Sequence, residues 1–282
     1  MIISGLIHTK DEEYNIKNAI LSLIKWVDEI IVVDMNSTDK TIDIAKSYGC
    51  RIINVNDMGY ADPVRELGRM ACNGDWIITL DADEMIKSSL ADFLRNVALN
   101  DMCDVVAIPR MNYILGHWMS GPEHWPDFQY RFYKRNSISW DDHVHTHPKI
   151  IDGNRLSTIN LSANPMNYSI IHFAYFSSSQ FIDKINRYTN FETTKLLEKN
   201  NSYSLSKQAK ESLYLLSLKL KNSSVIDVPV ELTSNIAVFQ GFYEWLKWFK
   251  LWEIESGHSE NNVKLSYKKI ADSILNDLNI SN

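Results

Sequence analysis

Ile30-Ile31-Val32-Val33-Asp34-Met35-Asn36-Ser37-Thr38-Asp39 is the stretch on which the fold turns. Four β-branched residues in a row, with no polar interruption, suit a strand buried on both faces. The run ends at Asp34, and Asn36 to Asp39 form a polar turn whose side-chain oxygens can cap a helix. Upstream, residues 2–7 are a short apolar run. Between Glu12 and Val27, the residues Ile16, Ala19, Ile20, Leu23, Ile24 and Val27 recur at helical spacing and predict one helix. Downstream, Ile42, Ile44, Ala45 and Tyr48 predict a helix that stops at Gly49. A strand over 51–55 follows, then a helix opened by Pro63. Another buried strand, 76–80, ends at Asp81-Ala82-Asp83-Glu84; a helix carrying Leu90, Phe93, Leu94 and Val97 and a strand over 104–109 complete the series. Strand and helix in alternation predict an α/β fold: a mostly parallel sheet with helices on both faces. Ligands of such sheets bind beyond the carboxyl ends of the strands, where Asp34, Asp81 and Asp83 all fall.

The texture changes near residue 110. Trp118, Trp125, Trp140, His124, His143, His145 and His147 cluster with prolines up to about residue 172, as in irregular structure and strands around a site. Helical periodicity returns over about 177–199, 204–220, 236–255 and 263–277, so the soft boundary lies near residue 175. With 45% apolar and 23% charged residues, the 282-residue chain has the makings of a sizeable core and is not wholly disordered. A net charge of −6 speaks against a nucleic-acid partner. Three cysteines with no CxxC spacing make neither a disulfide framework nor a thiolate zinc site. Residues 1–8 lack the features of a signal peptide, and no run of about 18 apolar residues occurs, so the expected location is the cytoplasm.

Asp81-Ala82-Asp83 puts two carboxylates beyond a buried strand, where they can meet one hard cation, Mg²⁺ or Mn²⁺, together with phosphate oxygens. The competing reading is a polar turn in which Asp and Glu cap the next helix. Asp34 can accept a hydrogen bond from a pyrimidine N–H or a ribose hydroxyl, or can cap a helix. His8-Thr9-Lys10-Asp11-Glu12-Glu13 flanks the same crevice, or is a solvated helix start. Arg65 and Arg69 share a helical face and can contact a diphosphate, or pair with Glu66 and Asp62 at the surface. His143, His145 and His147 alternate and would share one face of a strand, a geometry open to zinc, to a single donor-site ligand or to packing. Trp245, Trp248 and Trp252 lie on one face of the helix over 239–255, with Lys247 and Lys250 beside them. That face suits core packing or peripheral contact with the inner face of the cell membrane.

Residues 7–13, Ile31-Val32-Val33-Asp34 with Ser37-Thr38-Asp39, and Gly74 through Glu84 resemble, in order and spacing, the family 2 glycosyltransferases. The resemblance spans residues 1–110. It implies the GT-A fold, a mixed, mostly parallel sheet followed here by a C-terminal helical region. The implied arrangement is a catalytic domain over 1–175, with a nucleotide-sugar half over 1–110 and an acceptor half over 110–175, and helices over 176–282. It further implies an inverting, DxD- and manganese- or magnesium-dependent transfer of a hexose from a UDP-sugar. Thr9, Glu12 and Asp34 would bind the nucleoside, Arg65 would lie near the phosphates, and Asp83 would be the main metal ligand with Asp81 beside it.

Trp125-Pro126-Asp127, Arg131-Phe132-Tyr133, Asp141-Asp142-His143-Val144-His145 and Lys247 to Glu253 are similar to a bacterial branch that includes lipopolysaccharide-core β-1,4-glucosyltransferases. UDP-glucose is therefore the favoured donor, and a lipopolysaccharide, capsule or related glycan the expected acceptor. His145 would complete the metal site, with Trp125, Arg131 and His172 near acceptor or phosphates. Where that branch has Glu after the histidine matching His145, this chain has Thr146. The general base then falls to Asp142 or Asp127, with Asp142 favoured. The departure keeps a catalytically inactive nucleotide-sugar-binding or scaffold role as an alternative, beside a glycosyltransferase acting on protein. A sugar nucleotidyltransferase would need a Gly-rich basic loop where residues 8–13 stand.

Overall fold

The computed structural model describes residues 1–57, 62–122, 124–140, 148–159, 165–221 and 227–277. In chain order the first elements are β1 (Ile3–Thr9), α1 (Ile16–Leu23), β2 (Glu29–Asp34), α2 (Thr41–Ser47), β3 (Arg51–Asn54), α3 (Asp62–Ala71), β4 (Trp76–Asp81), β5 (Glu84–Ile86) and α4 (Ser88–Leu99). There follow β6 (Val105–Ile114), β7 (His117–Trp118), β8 (Asp127–Lys134), β9 (Ile138–Ser139), β10 (Lys149–Ile150), β11 (Leu156–Thr158) and β12 (Ile170–Tyr175). Four helices follow among the described residues, α5 (Ser178–Glu198), α6 (Leu205–Lys221), α7 (Val230–Glu255) and α8 (Glu260–Asp277). Residues up to Ser178 form one compact unit, and α5 to α8 belong to a second.

The main sheet of the first unit runs β3-β2-β1-β4-β8-β6-β12-β5, with β7 and β11 also paired to β6. The strands β3, β2, β1 and β4 are parallel. β8 runs antiparallel to both β4 and β6, while β12 returns parallel to β6. Side-chain alternation along β1, β2 and β4 sends Ile3, Ile7, Ile30, Val32, Ile78 and Leu80 to one face, under α1, α2 and α4. Leu6, Ile31, Val33 and Ile77 go to the other, where Val64 of α3 and Cys72 just beyond it cover them. The expected mixed α/β sheet with helices on both faces is therefore present. Gly68 is what lets α3 sit so close: a Cβ there would stand 2.9 Å from Leu6, 3.0 Å from Val33 and 3.1 Å from the His8 ring.

Two local expectations change, and one strand pairing is irregular. The helix expected over 12–27 is only Ile16–Leu23, because the acidic residues before it are engaged elsewhere. Asp11 takes a left-handed backbone, with φ of 50°. Its Oδ1 accepts the Thr38 N–H at 2.6 Å, and its own N–H donates to Ser37 Oγ at 2.8 Å. The N–H groups of Glu12 and Glu13 donate to Thr41 Oγ1 and Asp39 Oδ2. Lys40 N–H returns a bond to Glu13 at 3.0 Å. Residues 11–13 thus lace the loop after β1 to the loop after β2 instead of opening a helix. Second, Glu84 does not cap a helix; it begins β5, opposite His172 of β12. The irregular pairing is that of β8 with β6. Val106 is opposite Phe132 and Ala107 opposite Tyr130, which passes over Arg131. Tyr130 and Phe132 consequently pack on opposite faces of the sheet, as a bulge requires and an unbroken strand forbids.

In the second unit, Gln208 of α6 donates to the Trp245 carbonyl of α7 at 2.9 Å, and Trp248 donates to Glu211 at 2.9 Å. α5 joins α7 through Thr193, which donates to the Lys247 carbonyl, and through Asn186, Thr189 and Asn190 around the Lys250 ammonium. The three tryptophans expected on one face part company. Trp248 is 1% exposed against α6, whereas Trp245 and Phe249 are 38% and 42% exposed. α7 also begins six residues before the expected start, at Val230 just after Pro229. Among the described residues, no helix is long and apolar enough to cross a membrane.

Candidate active site

The carboxyl ends of β1, β2 and β4 lie side by side. Thr9 is opposite Asp34, and His8 opposite Asp81. Asp34 is buried, and its carboxylate accepts the Ser37 N–H at 3.1 Å and the Ser37 hydroxyl at 2.6 Å. The Thr9 hydroxyl is buried with no hydrogen-bond partner among the described residues. Glu12 accepts from Asn15 at 2.7 Å within the laced loop.

From Asp81 a chain of alternating charges runs across the sheet. Asp81 takes Arg65 at 2.9 Å and Arg131 at 2.7 Å. Arg131 also reaches Glu84 at 3.2 Å, Glu84 takes Arg110 at 3.0 Å, and Arg110 pairs with Asp127 at 2.8 Å. The second oxygen of Glu84 accepts the Asp81 N–H at 2.9 Å. The far end of Arg65 rests on the Trp140 ring, 5.2 Å from its centroid. Burial by itself would raise the Asp81 pKa, but the Arg131 and Arg65 guanidiniums more than offset it and hold the carboxyl well below the usual carboxylate range. Burial would likewise raise Asp127, yet Arg110, Asn112 and Gln129 bring it below its ordinary value. Arg131, which burial would push down, is held above its ordinary value by Asp81 and Glu84.

His8 lies among these charges on the α3 side, 2% exposed, with neither ring nitrogen hydrogen-bonded among the described residues. Burial first, then Arg65, drives its pKa well below the imidazole range, so it is neutral in the folded protein. An unfolded histidine binds its proton near pH 6.5. Protons therefore favour the unfolded chain as the pH falls from there, and the stability that neutral His8 contributes is lost on the acid side. His8→Gln is expected to flatten the fall in Tm between pH 7 and about 5.5; an equally steep fall in that variant would assign the acid sensitivity to other groups.

A second set of contacts starts at Asp83. His172 Nε2 is 3.5 Å from Asp83 Oδ2, and its Nδ1 is 2.6 Å from Asn112 Oδ1. Asn112 Nδ2 in turn donates to Asp127 at 3.1 Å, and Gln129 donates to the other Asp127 oxygen at 2.6 Å. Strand register explains the convergence: His172 is directly opposite Asn112, and Arg110 directly opposite both Ile170 and Asp127. Asp83 is fixed from behind, since its carbonyl accepts the Phe173 N–H at 2.9 Å.

Of the residues singled out in the sequence, Thr9, Asp34, Arg65, Asp81, Asp83, Asp127, Arg131 and His172 belong to these contacts at the strand ends. Arg65 and Arg69 do not act together: Arg69 turns to Glu66 and the Arg135 carbonyl. Trp125 follows β7 with a cis bond to Pro126, its ring edge-on to Trp118 at 5.5 Å. Asp142 and His145, with His143 and His147, lie outside the described residues. Glu84, Arg110, Asn112 and Gln129 were not foreseen as site residues, and His8 was foreseen only as part of the stretch flanking the crevice. The alternations Arg110-x-Asn112 and Asp127-x-Gln129, each on one face of a strand, were the available signal. No group of three or more metal-ligating side chains occurs among the described residues.

A model of glycosyl transferase family 2 matches residues 4–151, just over half of the chain. The chain belongs to that family. An uncharacterized glycosyltransferase from Rickettsia felis is 28% identical over 72% of this chain and 72% of its own. A lipopolysaccharide core biosynthesis glycosyltransferase from Rhizobium meliloti is 25% identical over 70% of this chain and 72% of its own. A cholesterol galactosyltransferase from Borreliella burgdorferi is 23% identical over 93% of this chain and 78% of its own. The crystal structure of glucosyl-3-phosphoglycerate synthase from Mycobacterium tuberculosis with Mg²⁺ and UDP is similar over 49% of this chain at 19% identity, with a TM-score of 0.38. The match spans 57% of that synthase. The glycosyltransferase described here thus carries its family domain in the first unit, with the charged strand ends inside it.

Proposed function

We propose that this enzyme transfers a hexose from a UDP-sugar, UDP-glucose being favoured, to a sugar hydroxyl of a lipopolysaccharide, capsule or related glycan, with inversion. The observations that carry the reading are that Thr9 lies opposite Asp34 at the carboxyl ends of β1 and β2, and that His172 Nε2 is 3.5 Å from Asp83 Oδ2. Asp34 offers carboxylate oxygens to a base N–H or a ribose hydroxyl, and the Thr9 hydroxyl, unpartnered among the described residues, can bond the base. Glu12 belongs to the same nucleoside rim.

The side chains present fit a divalent cation. Asp83 Oδ2 and His172 Nε2 stand 3.5 Å apart, near the roughly 3 Å between adjacent ligands of an octahedral ion. Asp83 and His172 would hold Mn²⁺ or Mg²⁺, with His145 as the expected further ligand. When bound, the cation neutralises charge on the departing diphosphate. Arg65, anchored by Asp81, serves the same phosphates. Cholesterol and the lipopolysaccharide core, in the names of two relatives, support a glycolipid acceptor. Trp125 and Arg131 belong to the acceptor half, 110–175, and the nucleotide-sugar half is 1–110. Exposed Phe242, Trp245 and Phe249 along α7 suit peripheral membrane contact from the cytoplasm.

An acceptor hydroxyl attacking the anomeric carbon must surrender its proton to a base. Asp127 already accepts from Arg110, Asn112 and Gln129 and is held below the usual carboxylate range, which makes it a poor proton acceptor. That supports Asp142. Asp142→Asn is expected to lower kcat by about 10²- to 10⁴-fold with little change in donor KM, and Asp127→Asn by less. The reverse order would make Asp127 the base.

The reading is tested by thermal shift and hydrolysis with UDP-, GDP-, CMP- and dTDP-sugars, with and without Mn²⁺. A metal-dependent shift with one UDP-sugar, and slow release of UDP, is the expected result. A shift with another nucleotide alone would overturn the UDP assignment. Nucleotide binding without any turnover on supplied acceptors would favour the non-catalytic alternative.

A further inference from the structure

Asn112 lies two residues beyond Arg110 on β6, directly opposite His172, and touches both halves of the proposed chemistry. We propose that Asn112 is a positioning residue that sets the tautomer of His172 and at the same time holds Asp127, so coupling the cation site to the acceptor side. This rests on the cation reading of Asp83 and His172 given above.

The argument is one of donors and acceptors. A side-chain amide has one acceptor oxygen and two N–H donors. Asp127 is a carboxylate surrounded by Arg110 and Gln129 and can only accept, so the amide nitrogen of Asn112 must face it, at 3.1 Å. The amide oxygen then faces His172 Nδ1 at 2.6 Å, and that nitrogen must carry the proton. An imidazole in its neutral form has one N–H, and in that form His172 Nε2 presents a lone pair. It points at Asp83 Oδ2 across 3.5 Å, too far for the 2.7–2.9 Å of a charge-assisted N–H···O bond. A bare nitrogen and a carboxylate oxygen facing one another repel until a proton or a cation lies between them, and both can donate electrons to a cation. Metal-bound histidines are commonly fixed in this way by a partner on the other ring nitrogen. Here the partner is an amide whose second end is committed to Asp127. A shift of either His172 or Asp127 is therefore felt by the other.

Two measurements decide the matter. Long-range ¹H–¹⁵N spectra of the metal-free full chain near pH 8, with His172→Gln identifying the signal, are expected to show His172 protonated at Nδ1 and bare at Nε2. A wild-type ring protonated at Nε2 overturns the proposal. Mn²⁺ binding, followed by electron paramagnetic resonance in the presence of UDP, is then compared among variants. Asn112→Leu should lose the Nδ1 preference and weaken Mn²⁺ by about 10- to 100-fold. Asn112→Asp restores an acceptor to His172, so Mn²⁺ affinity should return to within a few-fold of wild type. It also sets a second carboxylate against Asp127, so kcat should stay low. Asn112→Leu with wild-type tautomer and Mn²⁺ affinity overturns the proposal, as does Asn112→Asp that fails to restore either. Wild-type Mn²⁺ binding in both Asp83→Ala and His172→Ala would instead overturn the cation reading, while the tautomer spectra still report whether Asn112 sets the ring.

Discussion

Asp83→Ala is expected to lower metal-dependent turnover by about 10²- to 10³-fold, the scale on which loss of a preorganised charge-stabilising group is felt. Asp83 is 9% exposed and ends the Asp81-Ala82-Asp83 run. Its carboxylate faces His172 at 3.5 Å, and its main-chain carbonyl is anchored to Phe173 N–H. The side chain can therefore be removed without releasing the backbone. The fold should survive, with a Tm within about 4 °C of wild type. Asp83→Asn keeps the volume but gives up the charge, and should be nearly as damaged. Steady-state rates across a Mn²⁺ titration, with circular dichroism on the same samples, make the check. Turnover within about three-fold of wild type at every Mn²⁺ concentration would remove Asp83 from the cation site.

Glu84→Ala should fail differently, through stability. The Glu84 side chain is wholly buried between Arg131 and Arg110 and also accepts the Asp81 N–H. Taking away one member of a buried, hydrogen-bonded ionic group leaves its partners charged, dehydrated and short of acceptors. Such losses run to about 3–5 kcal/mol. Arg131, 3% exposed, would depend on Asp81 alone among the carboxylates it now touches. Glu84→Gln keeps an acceptor oxygen for the guanidiniums and should cost less. Urea unfolding of wild type, Glu84→Gln and Glu84→Ala at neutral pH gives the ranking. A loss below about 1 kcal/mol in Glu84→Ala would mean that the arginines find water or other acceptors readily, and that the charge chain is not a structural unit.

The strands β1 to β4 and β6 were legible, most plainly β1, β2 and β4, because both of their faces are buried and continuous apolar runs have few other readings; β5 and β7 to β11 were not. The carboxylates at the ends of β2 and β4 were legible for the same reason: a polar residue that stops a buried strand must lie at an edge. The helix over 12–27 was misread because periodicity reports only the apolar face of α1. It says nothing of whether Asp11, Glu12 and Glu13 will find the main chain of residues 37–41, which are distant in sequence. The bulge at Arg131 was hidden in the same way, since Tyr130-Arg131-Phe132 is compatible with an even alternation until β6 is laid beside it.

What the sequence determined by itself is the α/β alternation, the family motifs and the placing of Asp34, Asp81 and Asp83 at strand ends, because these depend on local periodicity and on which residues lie next to each other in the chain. Only the tertiary structure decided the partners of those carboxylates. Asp81 meets Arg131 fifty residues away, and His172 meets both Asp83 and Asn112. Those contacts depend on the pairing of β6 with β8 and β12, which is set by burial over the whole sheet. Hydrogen bonds and ion pairs at the sheet edge act over a few ångströms, so they record that register, and nothing in the local sequence specifies it.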